Sequence, residues 1–146
     1  MSSAKSRSAA RLAAVQALYQ HAMEETPLAS LLDEFHRHRL GAEIEGDQYA
    51  EAEVAFFDDV VKGAIARRDE LDALLSERLA TGWRLERLDK TMLQVLRAGA
   101  YELVARADVP TGSVISEYVD VAHAFFEARE AKFVNGVLDA VAKGVR

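Results

Sequence analysis

The chain contains no cysteine and only two prolines, Pro27 and Pro110, among 146 residues. Without thiols there is no disulfide, no thiolate metal site and no cysteine nucleophile, a composition that suits a reducing compartment. With proline so scarce, and Ala, Leu, Glu and Arg abundant, almost the whole chain is free to be helical. Long apolar runs are missing as well. None approaches the roughly 20 residues that span a bilayer, so no membrane partner is expected. The segment Met1–Arg7 lacks the apolar centre of a secretory signal, which makes the cytoplasm the expected location. Acid is also missing from the front of the chain. The first 22 residues hold Lys5, Arg7 and Arg11 and no carboxylate, the first being Glu24; their +3 within a chain of −6 leaves −9 on residues 23–146. Net acidity repels nucleic acid at a distance, but salt screens charges beyond about 8–10 Å, so a local basic strip can still hold phosphates.

What is present reads as an all-α protein of about seven helices. Half the residues are hydrophobic and 29% are charged, enough for one domain, residues 1–146, with a sizeable core. A first helix over about Ser3–Met23 is predicted by Leu12, Val15, Leu18, Tyr19 and Ala22 at helical spacing. Pro27 opens a second, shorter helix that frays after Phe35, and Gly41–Asp47 reads as a loop. A third helix covers about Gln48–Arg68 and shows the stripe Val54, Phe57, Val61, Ala64 and Ile65. Asp69 is a candidate cap for a fourth that ends before Gly82, Asp89 for a fifth, and Ser113 for a sixth whose interior holds Val114, Ile115, Tyr118, Val119, Ala122, Phe125 and Phe126. Pro110 separates those last two. A final helix over about Glu130–Lys143 buries Phe133, Val134, Val137, Leu138 and Val141.

Little here points to catalysis, to a cofactor or to a metal. No Glu-x-x-His pair exists; His36 and His38 stand two apart and diverge on a helix, and His123 falls opposite the apolar stripe, so all three read as solvated. The adjacent acids Asp58-Asp59 likewise read as a solvated face. The basic strip carries more. Arg7 and Arg11 are four apart and share a helix face, Lys5 adds a third charge, and Ser2, Ser3, Ser6 and Ser8 are small donors that fit against phosphate. The strip reads either as such a site or as a solubilising terminus. On the last helix Lys132, Asn135, Asp139 and Lys143 form a second polar strip, and Gly136 could allow a close helix approach.

Four segments in register resemble the NusB family of bacterial transcription antitermination factors. They are Ala14-Val15-Gln16-Ala17-Leu18-Tyr19, Leu96-Arg97-Ala98-Gly99-Ala100-Tyr101-Glu102-Leu103, Asp108-Val109-Pro110 followed by Ile115-Ser116-Glu117-Tyr118-Val119, and Lys132-Phe133-Val134-Asn135-Gly136-Val137-Leu138-Asp139. The resemblance implies two small packed helical bundles. It implies binding of boxA-type leader RNA together with NusE, a small-subunit ribosomal protein, within an RNA polymerase antitermination complex, and no catalysis. It places RNA contacts at Lys5, Arg7, Arg11, Tyr19, Lys132 and Phe133, and the NusE surface at Glu86 and Met92. The chain does not resemble the RNA methyltransferases that carry such a domain ahead of a catalytic one. Three features depart from the family pattern. Ser6, Ser8, Ala9 and Ala10 thin the basic strip, Met92-Leu93 stand where charged residues are common, and Ser116-Glu117 replace the usual Asn-Glu. A homodimer that hides the strip and has lost RNA binding is the alternative those departures would suit. At helical spacing Tyr19 and Phe133 suit either stacking on bases or core packing.

Overall fold

A computed structural model describes the backbone of residues 3–40 and 51–146 and the side chains of 6–38 and 53–146. The predicted loop Gly41–Asp47 lies outside the described residues. Among those described there are seven α-helices and no strand: α1 Ser3–Glu24, α2 Leu28–Phe35, α3 Glu51–Ala66, α4 Arg68–Ser76, α5 Lys90–Ala105, α6 Thr111–Phe125 and α7 Ala128–Val145. A π-helical turn His36–Leu40 follows α2, and a 3₁₀ turn Leu85–Arg87 precedes α5. The chain divides into two compact units, residues 1–63 and 64–146, with α3 running across the division.

In the first unit α1 packs on α2 and on the π-helical turn. Ala10, Ala13, Ala14, Val15, Ala17 and Leu18 of α1 and Leu31 and Phe35 of α2 are buried, whereas Tyr19 and Ala22 of the expected α1 stripe are exposed. Phe35 stacks on Phe57 of α3 with centroids 5.7 Å apart. The predicted fraying after Phe35 is replaced by the π-helical turn. His36 in that turn meets Asp58 at 2.6 Å, so neither belongs to a solvated face as the sequence suggested. The end of α1 is made by Glu25, whose φ of 54° supplies the left-handed residue that glycine usually provides.

The second unit is organised around α5, which packs on α4, α6 and α7. Met92–Leu96 and Ala98–Leu103 are buried without a break, so this helix is enclosed on every side. Asp89 caps it as expected, one carboxylate oxygen accepting from the N–H groups of Thr91 and Met92 at 2.8 and 3.1 Å. The central family-like segment is what holds the neighbours. Arg97 donates two hydrogen bonds to Asp72 of α4, each 2.8 Å. Glu102, fully buried, accepts from the Tyr118 hydroxyl of α6 at 2.5 Å. Gly99 lies against α7 so closely that a Cβ there would come within 2.7 Å of Leu138 Cδ1. The close approach expected at Gly136 is therefore made by Gly99, while Gly136 faces open space.

Two expected caps shift. Arg67, not Asp69, precedes α4, and Asp69 lies in its first turn. Pro110, not Ser113, precedes α6, because proline's fixed φ of −61° suits a helix entrance and starts the helix two residues before Ser113. That start buries Val114, Tyr118, Val121 and Ala122, leaves Ile115 and Val119 half-buried, and leaves Phe125 40% exposed.

Candidate nucleic-acid interface

On the first unit, α1 brings Arg7 and Arg11 to one face, as their spacing predicted, and both guanidiniums lie over the Phe56 ring, 4.6 and 4.8 Å from its centre. A cation over an aromatic face gains about 0.5–2 kcal/mol, more as water is excluded. The two arginines are not equivalent. Arg7 is half-buried, whereas Arg11 is only 4% exposed. Arg11 therefore packs as a structural cation and does not extend an exposed strip. Ser6 is buried too and cannot offer its hydroxyl to an external phosphate, and Ser8 is half-buried and already engaged. Lys5 belongs to the backbone of α1, and its side chain lies outside the described residues, as do those of Ser2 and Ser3. Tyr19, 39% exposed, is open to a ligand on the same helix and is not core.

On the second unit, Lys132 is exposed on α7, together with Asn135, Asp139 and Lys143, and Lys143 pairs with Asp139 at 3.0 Å. Phe133 is half-buried; it neither enters the core fully, as its place in the apolar stripe suggested, nor stands free. It lies beside Trp83 at 5.9 Å between centroids, and both line a cleft of about 680 Å³. Met92 lines that cleft as well, only 5% exposed, and Glu86 is exposed one residue before the lining Arg87. Glu130 at its edge forms a capping box with Glu127 at the start of α7. Its carboxylate is held below the usual range by a hydrogen bond from its own backbone N–H, against desolvation that pushes it up, with further help from Arg129.

Two aromatic residues at these sites escaped the sequence reading. Phe56 neighbours Phe57, which alone matched the stripe; both are buried. Trp83, 58% exposed, is the one apolar side chain in the polar turn Thr81-Gly82-Trp83-Arg84, and that isolation was the signal. Among the described residues no cluster of His, Asp or Glu could hold a metal ion, and no helix is long and apolar enough to cross a membrane.

A NusB family model matches residues 8–143. The transcription antitermination protein NusB of Novosphingobium aromaticivorans is 77% identical over 144 residues, covering 99% of this chain and 97% of its own. T. maritima NusB superposes with a TM-score of 0.79 at 30% identity, over 94% of this chain and 90% of that one. A chain in the crystal structure of antitermination factors NusB and NusE in complex with dsRNA shares the fold, with a TM-score of 0.81 at 24% identity over 96% and 98% of the two chains. The four sequence segments, the helical order they build and these near full-length likenesses agree: the chain belongs to the NusB family.

Proposed function

We propose that this protein is a transcription antitermination factor that binds boxA-type leader RNA together with NusE and acts on RNA polymerase during ribosomal RNA transcription. The observation that carries the reading is the 77% identity, over 99% of the chain, to a protein named for antitermination. The NusB–NusE crystal complex with dsRNA supports the choice of partners, since its matched chain has this fold. In this reading Lys5, Arg7 and Tyr19 face RNA on α1, Lys132 and Phe133 face it on α7, and Glu86 faces NusE. Arg11 supports Arg7 from behind through Phe56, to which both are bound by cation–π contact.

The mechanism is association, without a reaction step. A few cations on a chain of −6 give weak solitary affinity for RNA. A second protein that binds both this chain and the transcript raises the affinity of each pair, because coupling between two sites is reciprocal. Met92, only 5% exposed, packs in the lining of the cleft and leaves Glu86 as the exposed contact for NusE. The protein works in the cytoplasm, where transcripts are made. The test is terminator read-through on a template carrying a boxA leader, with polymerase, NusE and the other Nus factors present. Read-through that rises on adding this protein, and only when boxA is intact, supports the assignment. Read-through indifferent to the protein refutes it.

A further inference from the structure

We propose that the cleft beside Trp83 is a seat for one unstacked RNA base, with Trp83 as its stacking face and Arg87 and Arg129 as its phosphate contacts. This rests on the RNA-binding reading above and adds to it residues that reading does not use.

Trp83 is 58% exposed, the most exposed large apolar side chain described. Its position is built. Gly82, with a φ of 91°, turns the chain in a way other residues resist, and the Trp83 N–H donates to Ala80 O at 3.0 Å. More than half of the indole stays in water beside an apolar cleft, and exposed apolar surface gathered in this way marks a binding site. Phe133 lies 5.9 Å away with its ring tilted by 35°, and Met92 and Phe126 also line the cleft, whose volume of about 680 Å³ falls in the range of small-ligand pockets.

The charges choose the occupant. Arg87 and Arg129 line the same cleft, and Lys132 is exposed on the adjoining turn of α7. The two acids there are already engaged: Asp89 caps α5, and Glu130 accepts from the Glu127 N–H at 3.2 Å and pairs with Arg129 at 3.3 Å. Arg87 makes no ion pair among the described residues. An apolar peptide side chain would fill the cleft and leave Arg87 unanswered. A nucleotide answers both features at once, its base against the aromatic rings and its phosphate against the guanidiniums.

Trp83 is the only tryptophan in the chain, so its fluorescence reports on this cleft alone. The full-length protein is titrated with single-stranded boxA-type RNA, with NusE, and with both, while anisotropy of labelled RNA records binding independently. RNA should quench the tryptophan emission. Trp83→Ala should lower RNA affinity of the protein–NusE pair about tenfold, and Trp83→Phe should restore most of it, with melting temperatures unchanged. Should Trp83→Ala fail to fold, quenching in the wild type and the affinity of Trp83→Phe decide. RNA bound with emission undisturbed overturns the base seat and leaves the antitermination reading intact. Emission that responds to NusE and not to RNA makes the cleft a protein socket and also overturns it. RNA unbound by anisotropy under every condition overturns both.

Discussion

Arg7 and Arg11 sit one helical turn apart and share Phe56, yet only Arg7 keeps part of its side chain in solvent. Their roles should therefore separate on mutation. Arg7→Ala should weaken RNA binding for every base sequence and reduce the salt slope by about one unit, since one phosphate contact is lost, while stability changes little. Arg11→Ala should act mainly on stability, by about 1–3 kcal/mol, because the packed cation and its contact with Phe56 both go. Thermal melts and salt-dependent RNA titrations of the two variants check this. Equal loss of RNA affinity with no loss of stability in both would return Arg11 to the exposed strip. Charge alone could not have told the two apart. Helical spacing places them on one face, but which of them is walled in depends on an aromatic more than forty residues further along the chain.

Helix α5 shows what a family-like segment is made of. Its polar positions are spent on neighbouring helices: Arg97 on Asp72, Glu102 on Tyr118, and Gly99 on the room that Leu138 needs. All three are engaged within the fold, so the segment marks the fold. The helix depends on its entrance. Asp89→Ala should cost about 1 kcal/mol, since two backbone N–H groups lose their acceptor, and chemical denaturation should show this as a lower midpoint at unchanged slope. An unchanged midpoint would mean that water serves these groups equally well. The helices themselves were legible in the sequence, because the apolar spacing in α2 and α7 was regular and Pro27 and Pro110 marked breaks; on α1 the expected stripe leaves Leu12 half-buried and Tyr19 and Ala22 exposed, while Ala13, Ala14 and Ala17 are buried. Their entrances were less so. Asp69 and Ser113 are good capping types, but Arg67 and Pro110 hold the positions, and at α6 the fixed φ of Pro110 suits the entrance. The π-helical turn and its His36–Asp58 contact had no local signal at all, as they join segments 22 residues apart.

At the scale of the whole molecule, a chain of −6 carries its candidate RNA contacts on both of its compact units. Lys5, Arg7 and Tyr19 belong to one, and Lys132, Phe133 and the Trp83 cleft to the other. With Arg11 withdrawn into packing, the first unit offers fewer cations than its sequence promised, which makes dependence on a second protein stronger. The aromatic part of the interface was half legible: Phe133 came with its segment, whereas Trp83 required the turn at Gly82 to be seen holding it in solvent. The most direct measurement is anisotropy of a labelled boxA-type oligomer at several salt concentrations, with this protein alone, NusE alone and the two together. The account predicts weak, steeply salt-sensitive binding by this protein alone and a gain of at least tenfold for the pair. Binding by the pair no tighter than by the better single protein, even at low salt, would contradict it.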